Sequence, residues 1–173
     1  LALVKGSPAD RRRFLDLEIA QVSPAYRNWV SVYGKTVAQR NALLKQVAAG
    51  PPAKSAELLA PWDDQLASVG ARIIARRAEV IAELDGLGSD AHRRITGTSG
   101  NLAMRYVSSV QFEAPDAQAI ARAFKDRLDQ IRRVELIRGV TMCGPHRDDI
   151  LFELDGVNVA AFGSQGQQRS TVL

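Results

Sequence analysis

Residues 48–55 read "AAGPPAKS". A glycine followed by two prolines does not continue a helix, because proline lacks an N–H and its ring clashes with the preceding turn. Ser55 can then cap a second helix, with Leu58 and Leu59 opening a new apolar face. On either side of this break, apolar side chains recur by threes and fours. From Pro24 to about Ala48, Tyr26, Val30, Tyr33, Val37, Arg40, Leu44 and Val47 form a heptad seam with one arginine in it. Beyond the break, Leu59, Trp62, Leu66, Val69, Ile73, Arg76 and Val80 form a second seam, beside a stripe of Gly70, Ile74, Ile81 and Leu84. Two such helices on a tight turn predict an antiparallel helical hairpin over 24–85, in which Arg40 and Arg76 must snorkel or pair.

Working outward, Ser7-Pro8 with Asp10 three residues after the serine reads as a weak capping box. It starts a helix with Phe14 and Leu17, and beside them Leu15 and Ile19, as its apolar face, interrupted at Pro24. Past "DGLGSD" (85–90) and the polar loop "AHRRITGTSGN", the segment "LAMRYVSSVQF" (102–112) alternates as a strand does. Pro115-Asp116 then starts a helix from Ala117 to about Arg133, with Ile120, Phe124, Leu128 and Ile131 on one face. Residues 138–166 read as mostly extended, with Asp155-Gly156 as a hairpin turn. Helices come first and strands later, so the fold class is α+β.

The 173 residues, 46% apolar and 24% charged, suit a globular protein. No apolar run approaches the roughly 18 residues a membrane span needs, and "LALVKGSPAD" lacks the layout of a secretory signal. The one cysteine, Cys143, excludes an internal disulfide and fits a reducing cytoplasm. A net charge of +4 hides clusters at Arg11-Arg12-Arg13, Arg76-Arg77, Arg93-Arg94 and Arg132-Arg133, which can neutralise phosphates or simply solvate helix faces. Arg11, Arg12 and Arg13 have Asp10 and Asp16 as competing partners, whereas Arg93 and Arg94, read as lying in a polar loop, do not. These five arginines are the candidate DNA contacts, with the second cluster favoured.

Four motif-like stretches carry little. "HRDD" (146–149) has Phe152 where a kinase catalytic loop needs asparagine, and "FGSQG" has Phe162 where a nucleophile elbow needs glycine. Cys143 and His146 have no second ligand pair, so no metal site is expected. Asp148 and Asp149, adjacent on a strand, point to opposite faces and fit pairing with Arg147 or a turn cap better than a cation site. The closing "GSQGQQRS" (163–170) is different. A hydroxyl and glycyl amides just before a helix face its positive dipole end, which suits a phosphate. An ordinary capped helix start with solvent-facing glutamines fits the same residues equally well.

"GPHRDDILFELDG" followed by "FGSQGQQRSTVL" resembles the C-terminal signature region of the RecF family, and "LVKGSPADRRRFLD" and "PWDDQLASVGARI" resemble it in the right order. That family is grouped with SMC-type, ABC-type ATPases, whose globular head carries an inserted helical arm. The resemblance implies a helix leaving the head at 1–23, an arm domain at 24–133 (the hairpin 24–85, then a strand and helix at 100–133), and return strands with the start of the signature helix at 134–173. It places Ser164, Gln165, Gly166, Gln167 and Gln168, with Arg169 beside them, at an LSGGQ-like signature that contacts ATP held by a second subunit. His146, Arg147, Asp148 and Asp149 become possible supports of that signature. It further implies DNA binding at single-strand/double-strand junctions, RecR and RecO as partners, an ATP-dependent homodimer, a cytoplasmic setting with a role in the SOS response, and no membrane.

A G-x-x-x-x-G-K-[ST] loop and an acidic strand end after the signature do not occur here. The expectation is therefore an internal fragment that does not turn over ATP alone and whose Mg²⁺ is held mainly by residues elsewhere. No residue is assigned as catalytic. Two rivals are a helical protein-interaction module without a nucleotide role and a RecN-like ATPase, the latter disfavoured by the short arm.

Overall fold

In the computed structural model the structure describes residues 4, 6–48, 50–97, 100–162 and 171. The elements run α1 (Pro8–Val22), α2 (Pro24–Val47), α3 (Pro52–Thr96), β1 (Leu102–Val107), α4 (Ala117–Arg138), β2 (Asp149–Leu154), β3 (Val157–Asn158) and α5 (Val159–Phe162). The chain is thus mostly helical with a small antiparallel sheet, as the α+β reading expects. It divides into a helical unit, Ile19–Arg76 with Ser108–Arg147, and a sheet unit, Leu1–Glu18 with Arg77–Val107 and Asp148–Leu173.

The helical unit is built on the hairpin. Ser23 caps α2, accepting from the Tyr26 N–H, and Pro24 takes a first-turn position where its missing N–H costs nothing. The antiparallel pairing shows in its contacts: Arg40 meets Asp63 at 2.6 Å, and Arg72 lies over the Trp29 ring at 5.8 Å. Tyr26, Tyr33, Leu44, Leu59, Leu66 and Ile73 are buried, as the two seams require. Ser55 does not cap α3, which already starts at Pro52; its hydroxyl bonds the carbonyls of Val47 and Pro51 at 3.1 and 3.2 Å. One side chain so ties the turn to the end of α2.

A third helix, α4, completes this unit. Asp116 caps it through the Ala119 N–H, and Gly139 ends it in the left-handed conformation at φ 65°. Ile120, Phe124 and Leu128 are buried, with Glu135 two further turns along. A Cβ built on Gly70 would lie 2.7 Å from the Phe124 ring and 2.9 Å from the Tyr33 ring, so only glycine lets the helices approach this closely. The helix runs five residues beyond the Arg133 expected from sequence, so 134–138 is helical rather than extended.

The sheet unit contains α1 up to Glu18, the later part of α3, and the order β1-β2-β3. Leu102 pairs with Leu154 and Val107 with Asp149, and β2 turns into β3 through Asp155-Gly156. Both turn residues have positive φ, 52° and 79°, the requirement of a tight hairpin turn that twists with its strands. Ile150 and Phe152 are buried and alternate with less buried neighbours. β1 stops at Val107, short of the strand expected to 112, and 143–147 forms bends and turns rather than extended chain.

Two further differences have clear physical causes. Helix α3 continues through Gly86 and Gly88 to Thr96 instead of ending near 85, so "AHRRIT" is helix, not loop. Glycine in a helix costs only about 1 kcal/mol, and a Cβ on Gly88 would strike the Met104 methyl. On α1 the buried apolar side chains are Leu15 and Ile19, while Phe14 and Leu17 are 46% and 56% exposed. The same α1 seam reads either way from spacing alone.

Candidate functional site

Ser164, Gln165, Gly166, Gln167, Gln168 and Arg169 lie outside the described residues. The chain that leads to them is described from Asp148 through β2, β3 and α5.

Arg11, in the first turn of α1, is only 7% exposed, and its Nε and Nη2 both donate to the Asp149 carboxylate at 2.8 Å. Its Nη1 donates to the Gly6 carbonyl at 2.7 Å, while Arg12 donates to the Asp148 carbonyl at 2.7 Å. Such planar, two-pronged pairing fixes orientation as well as charge. Arg13 stays exposed. The Asp148 carboxylate accepts from the Tyr106 hydroxyl on β1. Arg77 grips Asp16 through two bonds of 2.9 Å and also hydrogen-bonds Tyr106. Burial, then the Asp148 carboxylate, pushes the Tyr106 phenol well above its ordinary range. Asp148 and Asp149 therefore pair with Tyr106 and Arg11, not with Arg147 as the sequence suggested. Arg147 instead donates to the Thr141 carbonyl at 3.2 and 3.3 Å. The Arg11, Arg12 and Tyr106 bonds join the start of β2 to α1 and β1.

His146 belongs to the helical unit, so the four expected supports divide between the two units. Its Nδ1 lies 2.8 Å from the Tyr33 hydroxyl and its Nε2 3.1 Å from the Thr141 carbonyl. A carbonyl only accepts, so Nε2 carries a proton. Both ring nitrogens are thus used in packing the 141–147 segment against α2.

The helical unit also holds charges away from water. Arg40 donates to Asp63 at 2.6 Å, to Glu135 at 2.7 Å and to the Thr141 hydroxyl at 2.9 Å. Arg132 closes the set on the other Asp63 oxygen at 2.8 Å. Burial works against the Arg40 charge, but Glu135 and then Asp63 outweigh it and hold its pKa above the ordinary value. Spacing marked Arg40 as an intruder in the seam; its partner Glu135, 95 residues on, left no sequence signal.

The Arg93-Arg94 pair stands in the last turn of α3, not in a loop, and Arg93 is salt-bridged to Asp90. Arg94 is exposed. Among the described residues no group of three His, Cys, Asp or Glu side chains is placed to hold a metal ion, and no helix is long and apolar enough to cross a membrane.

No family model matches the chain. Individual proteins do, along its whole length. It is 40% identical over 174 residues to the DNA replication and repair protein RecF of Bacillus subtilis, covering 100% of this chain and 47% of that protein. RecF of an Exiguobacterium species is 43% identical over 174 residues, again 100% of the chain and 46% of the relative. A solved structure of the recombination mediator protein RecF with ATPrS, in the RecFOR pathway, superposes with a TM-score of 0.91 at 30% identity, covering 98% of this chain and 45% of that one. A second, of RecF with ATP, gives 0.88 at 29%. The chain spans just under half the length of the relatives it matches.

Proposed function

We propose that this chain, RecF-like in sequence and fold from end to end, is the arm-bearing stretch of an ATP- and DNA-binding protein of recombinational repair and replication restart. The observation that carries this reading is the match over 98% of the chain, at a TM-score of 0.91, to RecF holding an ATP-type ligand. The helical unit is the arm. The sheet unit is part of the ATPase head, with Arg11–Asp149 and Tyr106–Asp148 anchoring the strand that precedes the signature.

The Ser164 hydroxyl and the amides of Gly166 and its neighbours form half of a phosphate site, completed by ATP on a second subunit. Because only the triphosphate reaches across, ATP binds the dimer better than the monomer and ADP does not, and that differential affinity shifts the equilibrium. The protein works in the cytoplasm on single-strand/double-strand junctions together with RecO and RecR. Sedimentation of the full-length protein tests the central step. Ser164→Arg is expected to leave ATP binding to the monomer intact while abolishing the ATP-dependent dimer; a dimer of wild-type strength in the variant refutes the signature role.

A further inference from the structure

Helix α2 contains Arg27, Lys35, Arg40 and Lys45 and not one Asp or Glu in its 24 residues. Every other long helix carries at least three carboxylates. Arg40 is spent inside the unit on Asp63 and Glu135. The other three are exposed, and among the described residues no carboxylate pairs with any of them. Arg27 gives one nitrogen to the Ala20 carbonyl at 2.8 Å, which leaves the rest of its donor fork available.

Their spacing makes a track. Arg27 and Lys45 are 18 positions apart, about five helical turns, so their backbone positions share one side of the helix about 27 Å apart, with the Lys45 stem lying over Gly139 at the end of α4. Lys35 lies between them, roughly 80° around the axis. The intervening exposed side chains are small or amide, including Asn28, Ser31, Gly34 and Gln39. A Cβ built on Gly34 meets nothing within 4 Å, so the surface there is low and open. Charge on the larger scale agrees. The helical unit holds fourteen Lys and Arg against eight Asp and Glu, whereas the sheet unit holds nine against eleven.

We infer that the solvent face of α2 is the surface along which the arm follows a nucleic-acid phosphate backbone. This rests on the DNA-binding reading above and relocates the contact. In the clusters that look basic in sequence, Arg11 and Arg93 are paired with carboxylates, Asp149 and Asp90, and Arg12 is tied to the Asp148 carbonyl. A track of about 27 Å spans about eight phosphates of one duplex strand at 3.4 Å each. Its point charges and amides bind phosphates without reading base edges, which suits recognition of DNA form rather than of sequence.

The test uses the full-length protein and a fluorescent duplex with a single-stranded tail, followed by anisotropy from low to moderate salt. Arg27→Glu/Lys35→Glu/Lys45→Glu is compared with Arg93→Glu/Arg94→Glu and with wild type, each first checked for an unchanged melting temperature and ATP binding. The α2 triple variant is expected to lose at least tenfold in affinity and to lower the slope of log affinity against log salt by about 2 to 3, three phosphate contacts' worth. An α2 variant with the wild-type slope overturns the inference, as does a loss that tracks Arg93 and Arg94 instead. Should the triple variant keep its DNA slope but fail to capture RecR or RecO, α2 is a protein-binding face and the inference is equally lost. Failure of the wild-type protein to bind the duplex at all refutes the DNA-binding reading itself, a separate result.

Discussion

Arg40 and Glu135 meet at 2.7 Å, Nη2 to Oε2, with neither side chain exposed to solvent at all. Removing one member of such a pair strands the other charge away from water, which costs about 3–5 kcal/mol. Arg40→Met is therefore expected to destabilise the protein by that amount in urea unfolding. Arg40→Met/Glu135→Leu, which removes both charges, should recover more than half of the loss. A double variant no better than the single shows that the pair contributes net stability rather than specificity of packing.

At Gly70 on α3 the rings of Tyr33 from α2 and Phe124 from α4 come against the helix backbone. A Cβ there would press on the Phe124 and Tyr33 rings, and the shifts needed outweigh the gain in helix propensity. Gly70→Ala is expected to lower stability by about 1–3 kcal/mol, read as a drop in melting temperature. Gly34→Ala, on the open face of α2, should leave stability unchanged or raise it slightly.

Tyr106 gives a prediction in alkaline solution. Its phenol titrates well above the ordinary value of 10.0 in the folded protein, because it is largely withdrawn from water and faces Asp148. The neutral phenol is thus favoured by folding. Its contribution is complete below the unfolded pKa and is lost as pH rises from there through the folded one. Stability is expected to fall above about pH 10, and Tyr106→Phe should flatten that fall. The tyrosinate absorbance of the native protein should show a phenol ionising above the ordinary tyrosine range, and Tyr106→Phe should remove that step.

The chain by itself contains no G-x-x-x-x-G-K-[ST] loop. Purified alone, it should show no steady-state ATP turnover above buffer, measured as phosphate release. A measurable rate would mean that the nucleotide is held in a way the RecF-like reading does not contain.

What the sequence made legible was local. The Ser7–Asp10 capping box is present, with the Ser7 N–H bonding the Asp10 carboxylate at 2.9 Å, because both partners lie within one turn. The Asp155-Gly156 turn and the α2–α3 hairpin arise from backbone preferences and from periodic burial. What it hid was set by residues far apart. Arg11 looked like a surface cation until Asp149, 138 residues on, was brought against it. Gly86 and Gly88 looked like a stop signal, yet α3 runs through both to Thr96. The face of α1 was ambiguous because Phe14, Leu15 and Leu17 are too close in sequence for spacing to choose among them. The signature-like stretch was the clearest motif in the chain, and its identification rests on resemblance, since it lies outside the described residues.

Cys143 is 1% exposed in the helical unit, and the chain has no other cysteine. The protein therefore carries its own clock for the opening of that unit. A thiol reagent can react only when the surroundings of Cys143 let it in, so the rate of alkylation in native buffer reads local opening of the helices directly. The sheet unit stays silent in the same experiment, and no label has to be engineered to tell the two apart.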